Sequence, residues 1–148
     1  MVPRFSLDAL LRLRQSLERQ QELLLQQAHQ RMAALAREIE ELNMEIAGLQ
    51  RRELQHLASG LSGAELHFVE LCRARLRERR QAVESALVTA REVQRDRVDA
   101  YRAARQKREI VASLRAQYLE ARARQDARRE QRDLDDFFLQ RRAYRERG

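Results

Sequence analysis

Apolar residues recur along the first third of the chain at alternating steps of four and three residues. This is the spacing of the a and d positions of a coiled coil, which form a narrow apolar stripe along one helix. The pattern predicts a long helix over about residues 7–58. Its regular members are Ala28, Met32, Leu35, Ile39, Leu42, Ile46 and Leu49, and upstream Leu10, Leu13, Leu17 and Leu24 follow the same rule in a slightly shifted frame.

A second stretch of the same spacing predicts a second helix over about residues 63–142. Three cations, Arg79, Arg97 and Lys107, interrupt this stripe. Many of its members are alanines, which allow a close approach of two helices but supply little apolar area. The members are Val69, Cys72, Leu76, Val83, Ala86, Ala90, Val93, Ala100, Ala104, Val111, Leu114, Tyr118 and Ala121.

The only turn-like cluster in the interior of the chain is Ser59-Gly60-Leu61-Ser62-Gly63. Gly60 can adopt the left-handed conformation that ends a helix. Ser62 and Glu65 have the spacing of a capping box, and Leu61 and Leu66 that of a hydrophobic staple. The cluster therefore predicts a turn over residues 59–62 between the two helices.

The start of the first helix carries similar signals. Ser6 is a candidate N-cap, with Asp8 in the first turn, where a negative charge meets the positive end of the helix dipole. Phe5 and Leu10 have the spacing of a second staple.

A turn this short requires the second helix to run back along the first. The sequence therefore predicts an all-α fold, two long helices in an antiparallel coiled-coil hairpin, as a single domain over residues 1–148. Pairing outward from Gly60 places Leu10 near residue 110, so the second helix overhangs the first by about 25–30 residues, beginning near Leu114. This overhang carries unpartnered apolar residues that suggest a protein-binding surface: Tyr118, Leu134, Phe137, Phe138 and Tyr144.

Composition agrees with long helices rather than a thick core. The chain has 148 residues, of which 36% are charged, with one proline and no tryptophan. Its net charge of +7 lies entirely in residues 61–148, because eight arginines balance eight acidic residues in residues 1–60. The acidic residues that interrupt the arginine rows, as in Arg128–Asp133, disfavour nucleic acid as a ligand.

The sequence contains no phosphate-binding glycine loop and no serine-nucleophile or zinc-protease motif, so we expect no enzyme activity and no cofactor. His56, His67, Glu65, Glu70 and Cys72 lie near the turn, but their spacing matches no standard zinc pattern, and we expect no metal. The single cysteine fits a reducing compartment. With no signal peptide and no long apolar run, we expect a cytoplasmic protein without membrane insertion.

Two short motifs lie at the ends of the sequence. One is Phe-Ser-Leu-Asp-Ala-Leu-Leu-Arg-Leu-Arg over residues 5–14, and the other is Leu134-Asp135-Asp136-Phe137 followed by Arg141-Arg142. The first is similar to the usual start, and the second to the closing segment, of the FliJ family of the bacterial flagellar type III export apparatus. Injectisome stalk proteins of the YscO type share this layout.

The resemblance implies a non-enzymatic stalk, similar to the gamma stalk of rotary ATPases, at the inner-membrane export apparatus. Its joined ends would insert into the hexameric export ATPase FliI, and it would also bind the export gate protein FlhA and export chaperones. The residues facing the ATPase ring would be Leu10, Arg14, Arg132, Asp135, Phe137, Phe138 and Arg141. Phe68 and Leu71 are candidates for the FlhA contact, or for weak packing against Leu54 or Leu57. A generic coiled-coil scaffold and a nucleic-acid-binding hairpin are the other interpretations.

Overall fold

Two long helices make up nearly all of the described chain. The computed structural model describes residues 4–148, with side chains from Ser6 onward. Helix α1 spans Arg4–Ser59 and helix α2 spans Gly63–Arg147, with only three residues between them. Within the described range there is no strand, and the two helices pack against each other. The predicted all-α fold of two long helices is confirmed.

The turn between the helices is formed by local interactions. Gly60 has φ of 85°, a left-handed conformation that a side chain would strain. Ser62 caps the start of α2, because its hydroxyl oxygen accepts a hydrogen bond from the backbone N–H of Glu65 at 3.2 Å. The carbonyl of the same serine accepts the N–H of Leu66 at 3.1 Å. The Ser62 half of the predicted capping box is therefore present.

The outer ends of both helices differ from the prediction. Helix α1 already includes Arg4, so Ser6 lies inside the helix and the assignment of Ser6 as its N-cap is wrong. Asp8 instead forms an ion pair with Arg115 of α2. The side chain of Phe5, and with it the predicted staple, lies outside the described residues. Helix α2 continues to Arg147, so the short tail predicted after residue 142 is helical except for Gly148.

The packing stripe of α1, here called its seam, is one unbroken heptad series from Leu7 to Glu53. All of its members are buried or half-buried. The shifted upstream frame is wrong, since Leu10, Leu13 and Leu17 are 37% to 53% exposed. The apolar pattern predicted the wrong frame there because polar residues, among them Arg14, Glu18 and Gln21, occupy part of the seam. The seam consists of Leu7, Leu11, Arg14, Glu18, Gln21, Leu25, Ala28, Met32, Leu35, Ile39, Leu42, Ile46, Leu49 and Glu53.

The seam of α2 is also continuous and only partly matches the predicted frame. Val93, Leu114 and Ala121 are exposed. Gln94 lies in the seam in place of Val93, and Arg115 lies there in place of Leu114, because both polar residues have partners on α1. The seam consists of Leu66, Val69, Arg73, Leu76, Arg80, Val83, Leu87, Ala90, Gln94, Arg97, Tyr101, Ala104, Arg108, Val111, Arg115 and Tyr118.

The described contacts group into two units, each with its own packed residues. The unit Arg19–Arg102 contains the buried cluster Leu35, Leu42, Val83 and Ala90. The other unit combines the residues up to Glu18 with Ala103–Gly148, and there Leu7 and Val111 are buried. Small residues such as Ala90 keep this core thin, so few side chains carry its stability.

We expect Leu35→Ala to lower the free energy of unfolding by about 2–5 kcal/mol, because the side chain is 3% exposed and its removal leaves a cavity. Leu23→Ala is the matched control, since Leu23 is 60% exposed and should change stability by less than about 0.5 kcal/mol. Urea unfolding followed by circular dichroism measures both. Equal effects of the two substitutions would show that the seam is placed wrongly.

Candidate protein-binding surfaces

Ion pairs join the first turns of α1 to the middle part of α2. The Arg115 Nε donates to the Asp8 carboxylate at 2.5 Å. The Arg108 guanidinium donates twice to the Glu18 carboxylate, through Nε at 2.6 Å and through Nη2 at 3.3 Å. All four side chains are half-buried, where charge-assisted hydrogen bonds are stronger than at an open surface. Arg108 and Arg115 can lie in the seam of α2, where a coiled coil usually has apolar residues, because each has an acidic partner on α1.

The unit Arg19–Arg102 has cross-helix pairs of the same orientation. Arg79 donates to Glu38 at 2.6 Å, and Arg73 is ion-paired with Glu53. In each cross-helix ion pair of the described residues, the acid lies on α1 and the arginine on α2. The arginine excess of the second half of the sequence is thus partly matched by the first helix.

The polar pairs also define the register within each unit. In the unit Arg19–Arg102, residue 29 meets 94 and residue 43 meets 80, so each step forward on α1 is one step back on α2. In the other unit, residue 8 meets 115. Because these contacts depend on particular side chains, a slip of the helices by one heptad would separate them. The register also determines which part of α2 lies beyond the first residues of α1.

From Glu120 to Gly148 every residue of α2 is exposed. We call this stretch the C-terminal segment. Its ion pairs are all local along the helix, such as Arg124 with Glu120 and Arg142 with Glu146. Continuing the seam series past Tyr118 gives five polar residues before the next apolar one, Leu139. They are Arg122, Gln125, Arg129, Arg132 and Asp136. The segment is therefore unsuited to prolonging the seam with α1.

The apolar residues of the C-terminal segment lie on another face. Leu134, Phe137 and Phe138 have the i, i+3, i+4 spacing that places side chains on one side of a helix. The two phenylalanines are 56% and 62% exposed, with ring centroids 6.3 Å apart and ring planes at 70°. Sequence reasoning missed Leu139, which is equally exposed but lies on a different face. The sequence feature that could have identified Leu139 is its position directly after the phenylalanine pair.

The structure does not bring all predicted ring-facing residues together. Arg132, Asp135, Phe137, Phe138 and Arg141 lie within three turns of the C-terminal segment and are exposed. Leu10 and Arg14 lie instead where α1 and α2 are paired. Phe137 is 22 residues beyond Arg115, the partner of Asp8, which corresponds to roughly 33 Å along a helix.

The other predicted surface lies beside the turn. Phe68 is 67% exposed and Leu71 is 51% exposed, and Leu54 and Leu57 are exposed as well. This exposure disfavours the interpretation that Phe68 and Leu71 serve mainly to pack the seam. Phe68 is part of a groove of about 410 Å³ beside the turn, which is lined by His56, Leu61, Ala64, Glu65, Phe68 and Val69.

Among the described residues no three or more histidines, cysteines, aspartates and glutamates are grouped so that they could hold a metal ion. Cys72 is a free, half-buried thiol. Neither described helix contains a stretch apolar enough to cross a membrane.

A comparison with protein families gives a match over nearly the whole chain. The family model described as flagellar FliJ protein matches residues 3–148. The chain belongs to the FliJ family. This confirms the resemblance of the terminal motifs and supports a role associated with flagellar protein export. No curated protein and no solved structure matches the chain significantly.

The pair of Glu18 and Arg108 provides a test of the register. We expect Glu18→Arg alone to lower the free energy of unfolding by about 1 kcal/mol or more, because it places two half-buried cations side by side. Adding Arg108→Glu should restore most of the loss in urea unfolding experiments. Arg124→Glu, in an exposed local pair, is the control and should have an effect below about 0.5 kcal/mol. A double variant no more stable than Glu18→Arg would refute the pairing.

Proposed function

We propose that this FliJ family member is a non-enzymatic stalk of the flagellar type III export apparatus, whose C-terminal segment inserts into the hexameric export ATPase FliI. The observation that supports this most strongly is a helical segment that stays exposed over its whole length and carries a phenylalanine pair. Exposed apolar side chains grouped on one helix face are typical of a protein-binding surface. The protein would work at the inner-membrane apparatus as a peripheral component, without inserting into the membrane.

The chemistry of the segment suits a narrow protein channel. Burying each of Leu134, Phe137 and Phe138 against a partner would contribute about 1.5–3 kcal/mol. Arg132, Asp135 and Arg141 lie on the same turns and would orient the segment through ion pairs with the ring. Leu10 and Arg14 would contact the ring only where it also encloses the paired part of the helices.

The stalk would act by binding some conformations of the ATPase more tightly than others. A single asymmetric helix inside a ring of six equal subunits cannot make the same contacts with all of them. Such differences bias which subunits close around nucleotide, since a ligand shifts an equilibrium only by its differential affinity. A coupling of about 1–3 kcal/mol is typical of such systems.

The turn would form a second contact, with the cytoplasmic part of the export gate protein FlhA. Phe68 and Leu71 are exposed there, and Phe68 lines the groove next to the turn. Export chaperones would be further partners. Nucleic acid is a weaker candidate, because Arg124 and Arg142 of the C-terminal segment are paired with acidic residues of the same helix.

We expect Phe137→Ala combined with Phe138→Ala to weaken binding to the ATPase at least about tenfold, because about 1.4 kcal/mol corresponds to each factor of ten. Helicity should remain unchanged in circular dichroism, since both rings are exposed. Leu139→Ala is the matched control, because it removes a similarly exposed side chain from another face of the same segment. Unchanged affinity, or a loss of helicity, in the double variant would contradict the proposed docking.

The two proposed contacts should be separable in binding experiments. We expect Phe68→Ala combined with Leu71→Ala to weaken binding to the FlhA cytoplasmic domain at least about tenfold and to leave ATPase binding unchanged. The phenylalanine pair of the C-terminal segment should show the reverse. Calorimetric titration of each partner measures both. Loss of both partners in either variant would refute separate surfaces.

A further inference from the structure

The two sides of the seam differ in the unit that combines the residues up to Glu18 with Ala103–Gly148. On one side, Asp8 reaches across the seam to Arg115 and closes it with a polar contact. On the other side, large apolar residues flank the seam. They lie at the positions directly before a seam residue, namely Leu10 and Leu17 on α1 and Leu114 on α2.

Equivalent flanking positions of two antiparallel helices lie on the same side of their seam. The contact between Glu38 and Arg79, which occupy these positions in the other unit, shows this directly at 2.6 Å. Leu13 and Ile110 are the next residues outward. We call Leu10, Leu13, Leu17, Ile110 and Leu114 the apolar side face, and their exposures are 37%, 53%, 37%, 55% and 49%.

This chain itself has no described segment that can cover the face. The described residues outside the helices are Gly60–Ser62 and Gly148. Helix α2 contains no proline or interior glycine at which the C-terminal segment could fold back. The described part of the chain, residues 4–148, therefore leaves the face uncovered.

The charges around the face indicate which charge its partner should carry. Two cations border it, Arg14 in the seam of α1 and Lys107 one heptad before Leu114, and the neighbouring acid Glu18 is already paired with Arg108 at 2.6 Å. In a symmetric dimer the same patch meets itself, which would bring these cations against their own copies. Acidic side chains of a different partner would instead form ion pairs with these cations.

We infer that the apolar side face binds an amphipathic helix of another protein, one whose apolar stripe is flanked by acidic residues. The two rows of the face, Leu10-Leu13-Leu17 on α1 and Ile110-Leu114 on α2, lie along the same side of the seam. A third helix laid there presents side chains at i, i+3, i+4 and i+7 to both rows, as in helix-in-groove recognition. This site is separate from the phenylalanine pair of the C-terminal segment. It goes beyond the proposed stalk function but shares Leu10 and Arg14 with the part that the ATPase ring would contact if it enclosed the paired helices.

The experiment uses the full chain and three synthetic helical peptides of equal length. The first has a leucine stripe flanked by glutamates, the second replaces the glutamates by lysines, and the third replaces the leucines by glutamines. Fluorescence anisotropy measures the binding of each. We expect saturable binding of the first peptide and affinity at least about tenfold lower for the other two.

The residues of the face are tested by Leu13→Gln combined with Ile110→Gln, since both side chains are more than half exposed and the fold should persist. We expect at least about tenfold weaker binding of the glutamate-flanked peptide. Leu23→Gln is the control, because Leu23 is also exposed but lies outside the face. Equal binding of the glutamate- and lysine-flanked peptides would overturn the proposal. So would a double variant that binds normally, or self-association of the chain that the double variant abolishes.

Discussion

The pairing of acids on α1 with arginines on α2 is the constraint on which the rest of the structure depends. The apolar part of the seam is thin and rich in alanine, so burial alone distinguishes poorly between one register and a neighbouring one. The Asp8–Arg115 and Glu18–Arg108 pairs are matched in one alignment. Two copies of α2 packed side by side would instead bring arginines together. The charges therefore favour the intramolecular hairpin over a homodimer of long helices.

The unequal lengths of the helices have functional meaning only because the register is fixed. Once Asp8 meets Arg115, α2 has further residues that α1 does not cover. The seam series is polar from Arg122 to Asp136, and Leu134, Phe137 and Phe138 lie on another face. The helix thus stops packing against α1 at about Glu120, and the exposed segment after it is the one that we propose binds a partner. The family match supports a role of the chain as a whole in flagellar protein export.

Features encoded locally were predictable from the sequence. Gly60 and Ser62 define the turn through their own conformation and hydrogen bonds, and the apolar series from Ala28 to Leu49 identifies its own seam.

Features that depend on the opposite helix were not predictable. Apolar periodicity favoured Leu10 and Leu114 over Leu11 and Arg115, because a seam arginine makes sense only once its acidic partner is known. Ser6 carried an N-cap signal, yet the helix starts earlier. The phenylalanine pair was visible in the sequence as an unpartnered feature, whereas the separation of Leu10 and Arg14 from it required the register.

Hydrogen exchange measured residue by residue along α2 tests the central claim most directly. Amides beneath buried contacts exchange only when those contacts open, while a helix without tertiary contacts exchanges through local fraying. The account predicts strong protection around Val83 and Val111 and protection lower by orders of magnitude from Glu120 onward. Uniform protection from Val83 through Arg147 in the isolated monomer would contradict it, because the C-terminal segment would then be part of the packed fold.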